Sequence, residues 1–214
     1  MMFSWQTFLA FVLATGLLGA DNRALLVGVS EYPALDKAQW LVGPENDVAL
    51  AREVLTGDRF KFPAKNIASL VGWPKKEELR PTRANIAKAF EKLAKDATKD
   101  DLIFILMSGH GSQQPANEQE DDIETDGLDE VFLPADTTEW NPVKATIEGA
   151  IIDDEIKVWT DKIRAKGAFV WIILWKGKET EPNRHEESKT PYHRESSPCP
   201  DRAQSRRPWP LSHG

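Results

Sequence analysis

The stretch LIFILMSGHGSQQ, Leu102–Gln114, decides the predicted fold. Residues 102–107 are all apolar, without alternation, which is typical of a strand buried on both faces of a parallel sheet. His110 follows this strand and lies between Gly109 and Gly111. In open α/β sheets, sites form beyond the carboxyl ends of strands, and glycine lets the backbone turn tightly there. The stretch indicates a functional histidine, and a loop histidine that caps a turn is the alternative.

Apolar runs and helical patterns alternate along the chain on both sides of this strand. Trp159 and Trp171 lie on apolar faces of these segments and are predicted to be core residues. Strands are predicted at 23–32, 66–72, 102–107 and 167–174, and helices within 43–57, 81–97 and 149–163. This alternation predicts an α/β fold with a mainly parallel sheet and helices on both faces.

The predicted helices carry recognisable end signals. Asn46 or Asp47 is the expected N-cap of the first helix, and Gly57 its C-cap. Thr82 is the expected N-cap of the second helix. Asp153 and Asp154 open the third helix, where acidic side chains favour the positive end of the helix dipole.

Composition limits the function classes. A chain of 214 residues with 41% hydrophobic content can bury the core of one domain. A formal net charge of -7 argues against a nucleic-acid partner, which would need a clustered basic face. A nucleotide-binding domain is disfavoured because no phosphate-cradling glycine loop follows any predicted strand. The single cysteine, Cys199, cannot form an internal disulfide.

The two ends of the chain differ from the middle. Residues 1–20 contain an apolar run ending in small residues, which predicts a signal peptide cleaved after Ala20 and an exported protein without a stable membrane span after cleavage. No Lys or Arg precedes that run, so a mis-assigned start codon, an amino-terminal core helix and an uncleaved anchor remain alternatives. Residues 176–214 are poor in apolar side chains and are predicted to be a disordered tail, and the abrupt change after the strand is interpreted as an interrupted gene or a shifted reading frame. The domain itself is assigned to 21–175.

Five blocks in order resemble the caspase-like cysteine peptidases of peptidase family C14, namely the metacaspases and bacterial orthocaspases. They are RALLVGVSEYP, GPENDV, PTRANI, SGHGSQ with DGLDEVFLPAD, and IDDEI, all between Arg23 and Leu174. The resemblance implies a caspase-like sandwich fold and an endopeptidase that cleaves peptide or protein substrates after Arg or Lys.

The resemblance also assigns roles to particular residues. His110 matches the family's catalytic histidine, whose imidazole raises the thiolate fraction of a cysteine or protonates the leaving amine. The backbone N–H of Gly111 is the expected oxyanion donor. Asp47 matches the aspartate of the pocket for a basic side chain, with a plain helix N-cap as the alternative.

No cofactor is required by this chemistry, but the resemblance raises the possibility of calcium. Asp129, Asp153 and Asp154 resemble the carboxylates with which metacaspases bind an activating Ca²⁺. A helix N-terminus is the alternative for Asp153 and Asp154. The acidic segment NEQEDDIETDGLDE lacks the pattern of an independent calcium loop and is interpreted as a solvated loop.

The family's nucleophile is missing from its expected place. The block Asp-x-Cys-His-Ser-Gly should follow the strand ending at Leu174, near Gly177, and the sequence there reads WKGKET. Cys199, flanked by prolines and without a preceding strand, is a poor substitute. Two interpretations stay open: an interrupted or frame-shifted cysteine endopeptidase that is inactive as written, or a pseudopeptidase that binds peptides without cleaving them.

Overall fold

The computed structural model describes residues 21–116 and 127–176. At its centre is a four-stranded, fully parallel sheet in the order β2-β1-β3-β9. Its strands are β1 (Arg23–Gly28), β2 (Ile67–Val71), β3 (Leu102–Gly109) and β9 (Phe169–Lys176). The apolar runs therefore predicted the central strands correctly, and the α/β architecture with a mainly parallel sheet is confirmed.

Helices cover both faces of this sheet. They are α1 (Gly43–Thr56), α2 (Arg83–Asp96) and α3 (Asp153–Arg164). Strand side chains alternate between the faces, so β1 and β3 supply two separate apolar clusters. The cluster under α1 contains Ala24, Leu26, Val48, Leu55, Phe104 and Leu106. The cluster under α2 and α3 contains Leu25, Val27, Ile86, Phe90, Ile103, Ile105, Met107, Ile156 and Ile163. These two layers give the sandwich arrangement that the resemblance predicted.

A small antiparallel sheet follows β3 in the chain. It has the order β4-β5-β8, with β4 (Gly111–Pro115), β5 (Leu128–Phe132) and β8 (Ile151–Ile152). A two-stranded hairpin of β6 (Trp140–Asn141) and β7 (Thr146–Ile147) precedes β8. Short 3-10 turns occupy Lys37–Gln39, Ala64–Asn66 and Glu77–Leu79. His110 is the one residue between β3 and β4, so it lies where the two sheets meet.

The start of α1 differs from the prediction. The helix begins at Gly43 with Val42 at its N-cap and Pro44 in its first turn, whereas Asn46 or Asp47 was the expected cap. Proline suits the first turn because its missing N–H has no helical partner there and its φ is already helical. Asp47 therefore lies inside the helix. The predicted caps Gly57 and Thr82 are confirmed, and the Thr82 side chain accepts a hydrogen bond from the N–H of Asn85.

The two tryptophans assigned to the core have different surroundings. Trp159 on α3 is half-buried and packs against Phe90 of α2, with 4.9 Å between the ring centroids. Trp171 on β9 is 52% exposed, so its assignment to the core is wrong. Its ring touches Phe104 edge-on at 5.6 Å, but β9 has no neighbour beyond β3 among the described strands. An apolar sequence pattern does not by itself show that other elements pack over the strand.

The predicted leader at 1–20 and all but the first residue of the predicted tail lie outside the described residues. The chain divides into two units, Met1–Pro182 and Asn183–Gly214, and the second lies wholly outside them. Among the described residues, no helix has the length and apolar character needed to cross a membrane.

Candidate active site

Close packing around Gly109 sets the position of His110. A Cβ atom at Gly109 would lie 3.1 Å from two ring carbons of Phe132 and 3.1 Å from the Tyr32 hydroxyl. These distances are tighter than nine in ten real Cβ contacts, so a side chain here would require Phe132 and Tyr32 to shift by a few tenths of an ångström. Glycine before the histidine lets the end of β3 lie directly against Tyr32 and β5.

The His110 imidazole is anchored through its Nε2 atom. The side chain is 4% exposed, and its Nε2 lies 2.6 Å from the backbone carbonyl oxygen of Gln39. A carbonyl can only accept, so Nε2 carries the hydrogen of this bond. In the neutral ring, Nδ1 is then the basic nitrogen. Nδ1 is buried and has no hydrogen-bond partner among the described residues. Buried polar atoms are rarely left unpaired, so Nδ1 is a candidate acceptor for a proton from another group.

Tyr32 contacts both the backbone and the ring of His110. Its hydroxyl accepts a hydrogen bond from the His110 backbone N–H at 2.8 Å, and the two rings are 5.1 Å apart. Tyr32 is fully buried, and this burial raises the pKa of its phenol far above the ordinary value, although the bond from His110 lowers it slightly. The phenol therefore stays neutral at physiological pH and holds the histidine backbone in place.

The amide of Gly111 points away from the small sheet. Gly111 pairs with Phe132, and the N–H of Leu133 donates to the carbonyl of His110 at 3.0 Å. In an antiparallel ladder this pattern makes Gly111 and Phe132 a non-hydrogen-bonded pair, whose N–H and C=O groups turn outward. Because β5 is the one strand that pairs with β4 among the described residues, the Gly111 N–H turns away from the small sheet. An oxyanion donor requires this orientation.

A second polar pair lies on the α1 side of the sheet. The hydroxyl of Ser108 donates to the Asp47 carboxylate at 2.7 Å, which joins β3 to α1. Ser108 is fully buried, whereas Asp47 is half-buried. The contact depends on how closely α1 approaches β1 at Gly28, the residue that pairs with Ser108. Asp47 thus presents a partly exposed carboxylate that is bonded to Ser108, the residue two positions before His110.

The acidic residues considered for calcium do not assemble into a metal site among the described residues. No group of three or more His, Cys, Asp or Glu side chains in 21–116 and 127–176 is arranged to hold an ion. Asp129 is buried in β5, and Asp153 and Asp154 form the first turn of α3, half-buried. The described residues alone therefore do not fit a calcium site, and calcium binding stays a prediction.

Three site residues were missed by the sequence reasoning. Gln39 contributes a backbone carbonyl, which leaves no mark in a side-chain pattern. Tyr32 carried a possible signal, because an aromatic hydroxyl just past a buried strand is positioned to reach the same sheet edge as His110. Ser108 also carried one, since it is a polar residue that ends an otherwise apolar strand.

Comparison with known proteins extends this picture. The family described as "Metacaspase, peptidase C14 domain" matches residues 22–173. The chain is 36% identical to Metacaspase-1 of Plasmodium falciparum over 137 residues, covering 64% of this chain and 20% of that protein. It is 35% identical to Metacaspase-1A of Aspergillus oryzae over 135 residues, covering 63% and 29%. It is 36% identical to Metacaspase-7 of Arabidopsis thaliana over 122 residues, covering 57% and 28%.

A crystal structure of a Geobacter sulfurreducens protein is similar at 25% identity and a TM-score of 0.47, covering 72% of this chain and 49% of that one. The matched segment spans less than a third of the length of these metacaspases. The family match nevertheless covers most of this chain and includes both His110 and Asp47. The chain belongs to the metacaspases, the caspase-like cysteine peptidases of peptidase family C14.

Proposed function

We propose that this domain is the histidine-bearing part of a cysteine endopeptidase that cleaves after Arg or Lys, and that the chain as written does not cleave. One observation carries the proposal: the buried Nδ1 of His110 has no partner among the described residues, while Nε2 is held by Gln39. This is the state of a general base whose nucleophile is absent.

His110 and Gly111 supply the proton acceptor and the oxyanion donor for cleavage by a thiol that the chain lacks at the expected position. Nδ1 of His110 takes the proton of a cysteine thiol, and the sulfur then attacks the carbonyl carbon of the substrate. The Gly111 N–H stabilises the resulting oxyanion. The C–N bond breaks, and the imidazolium returns the proton to the leaving amine. Water then hydrolyses the thioester, which releases the carboxylic acid and regenerates the thiol.

Asp47 is the proposed partner of the substrate's basic side chain. The Ser108 hydroxyl occupies one of its carboxylate oxygens and leaves the other side of the group for a guanidinium or ammonium. A carboxylate that is partly desolvated and held by a buried hydroxyl binds a cation more strongly than a freely rotating surface carboxylate does.

The missing thiol is the reason for the proposed inactivity. β9 pairs Lys176 with Gly109, so a nucleophile beside His110 is expected directly after Lys176. The sequence there reads Gly177-Lys178-Glu179, with no cysteine. Neither His110 nor Gly111 can replace a thiolate, because without it no acyl-enzyme forms.

The test compares the chain as written with a repaired chain. The repaired chain consists of residues 1–174, an Asp-x-Cys-His-Ser-Gly block and the family sequence that follows it. Both are assayed on an Arg peptide carrying a fluorogenic amine, with and without calcium. We expect no cleavage by the chain as written and cleavage by the repaired chain. Cleavage by the chain as written that is lost in Cys199→Ala would refute the proposal.

Two variants of the repaired chain test the assigned roles. His110→Ala should lower kcat by about 10²- to 10⁴-fold, the usual contribution of a general base. Asp47→Asn should raise KM for the Arg peptide by about tenfold or more, with a smaller effect on kcat. Asp58→Asn, which removes an exposed carboxylate beyond the end of α1, is the matched control and should leave both constants unchanged.

A binding function is the second candidate, because His110, Gly111 and Asp47 are present without a nucleophile. Fluorescence anisotropy of a labelled Arg peptide with the chain as written tests it, with Asp47→Asn as the weakened variant. The coding DNA separates the two candidates. A second reading frame after the Leu174 codon that encodes Asp-x-Cys-His-Ser-Gly favours an interrupted peptidase, and its absence favours a peptide-binding module.

A further inference from the structure

A fully buried carboxylate lies at the end of β3 opposite His110. Asp101 directly precedes the strand and is 0% exposed, so its charge needs partners within the protein. Its Oδ2 accepts a hydrogen bond from the N–H of Thr98 at 2.9 Å, which closes the turn before the strand. Its Oδ1 accepts a bond at 2.7 Å from the backbone nitrogen of Asp21, 80 residues earlier in the chain. This second bond ties the segment before β1 to the start of β3.

The negative charge of Asp101 is only partly compensated. The guanidinium of Arg23 lies 3.5 Å from the Asp101 carboxylate and 3.5 Å from the carboxylate of Asp21. Its Nε is buried and makes no hydrogen bond within the described part of the chain. A buried ion pair is favourable only when good geometry and hydrogen bonds offset the loss of water, and here one guanidinium is shared by two carboxylates. The site is therefore suited to a second cation.

We propose that this second cation is the α-ammonium group of Asp21, created when the predicted leader is cleaved after Ala20. Hydrolysis of the Ala20–Asp21 bond consumes one water molecule, leaves a carboxylate on Ala20 and releases the Asp21 nitrogen as an amine. The ordinary pKa of an α-amine is about 7.7–8.0, so this amine is mostly protonated at neutral pH. The nitrogen that donates to Oδ1 of Asp101 then carries the positive charge that the site lacks.

The position of this bond makes the match specific to cleavage after Ala20. Cleavage farther upstream leaves an uncharged peptide amide at Asp21, and cleavage one residue later removes the donor. The next residue is held as well, because the carbonyl of Asn22 accepts a hydrogen bond from the Asn66 side chain at 3.2 Å. The new terminus is thus fixed beside Asp101, whereas chain ends that nothing ties down are poorly ordered. Cleavage of the leader should therefore stabilise the folded protein.

This effect depends on the predicted leader and not on the proposed peptidase activity, since Asp101 and His110 lie at opposite ends of β3. The test uses the full chain with a site-specific protease sequence in place of the residues directly before Asp21, so that cutting the folded protein leaves Asp21 as its first residue. Thermal unfolding at neutral pH, followed by circular dichroism, compares cut and uncut samples. Cutting should raise Tm by about 2–8 °C, because an ammonium binds the buried carboxylate more strongly than an amide does.

Two variants separate the ion pair from the effect of cutting alone. Asp101→Asn removes the buried charge and should abolish the rise in Tm. Asp100→Asn is the matched control, because Asp100 is the adjacent, exposed carboxylate and its φ of 69° is one that asparagine also adopts. The rise in Tm should persist in this control.

The reactivity of the new amine supplies a measurement that does not depend on a variant that folds. Acetic anhydride should acetylate the α-amine of Asp21 at least about tenfold more slowly in the folded, cut protein than in the same protein in urea, because a paired ammonium retains its proton. Mass spectrometry of the amino-terminal peptide measures both rates. Amino-terminal sequencing of the exported full chain should begin at Asp21. An unchanged or lower Tm on cutting, an equal rise in Asp101→Asn, equal acetylation rates or another first residue would overturn the inference.

Discussion

Replacing Gly28 by alanine should destabilise the protein by forcing α1 away from the sheet. A Cβ atom at Gly28 would lie 2.8 Å from the Pro44 carbonyl oxygen and 2.9 Å from Cγ2 of Val48. The first contact is with backbone, so rotation of a side chain cannot relieve it. Such overpacking typically costs about 1–3 kcal/mol, and the stiffer unfolded chain returns about 0.4–1 kcal/mol. We expect a net loss of about 1–2 kcal/mol.

Urea unfolding followed by circular dichroism measures this loss, and Gly43→Ala is its matched control. Gly43 lies at the start of the same helix, and nothing is within 4 Å of a Cβ atom there. Gly43→Ala should therefore be neutral or slightly stabilising. For a chain of this size, the expected loss in Gly28→Ala corresponds to a fall in Tm of about 2–8 °C. Equal stability of the two variants would refute the argument that α1 packs directly against Gly28.

Three further predictions concern other parts of the chain. Burial raises the pKa of Tyr32, so its contribution to stability is complete below its ordinary pKa of about 10 and is lost as pH rises above it. Tyr32→Phe should lower the free energy of unfolding at neutral pH by about 1–3 kcal/mol, because the His110 N–H loses its acceptor. Urea unfolding at increasing pH should show a smaller alkaline loss of stability in Tyr32→Phe than in the unmodified protein. An equal decline in both proteins would contradict this. Arg83 donates to Glu155 at 2.5 Å and joins α2 to α3, so a double-mutant cycle with Arg83→Met and Glu155→Gln should give a coupling free energy of about 0.5–3 kcal/mol, and additive losses would argue against the pair. Residues 1–22 fused to a reporter active only outside the cytoplasm should give signal, and a silent reporter would count against the predicted leader.

The strands were predictable from sequence because each is an uninterrupted apolar run bounded by polar residues. The order of the strands in the sheet was not predictable from sequence, and for that reason Trp171 was assigned to the core. The start of α1 was misplaced because Asn46 and Asp47 are favoured N-caps, while Pro44 in the first turn allows the helix to begin three residues before Asn46.

The candidate site was predictable only in its side chains. The position of His110 followed from the apolar run that ends beside it, because a strand end is visible in sequence. The direction of its imidazole was not visible, since it depends on a loop that brings the Gln39 carbonyl to Nε2. The outward turn of the Gly111 amide depends on the pairing register of β4 with β5, which no single segment specifies.

The bond between His110 and the Gln39 carbonyl has a consequence for how this site tolerates mutation. Every amino acid at position 39 supplies the same backbone oxygen, so side-chain substitutions there leave the acceptor in place. Insertions and deletions between β1 and α1 displace the acceptor, because they change where that oxygen lies. The orientation of the histidine is thus robust to point mutation at position 39 and sensitive to loop length, the reverse of a site oriented by an aspartate side chain.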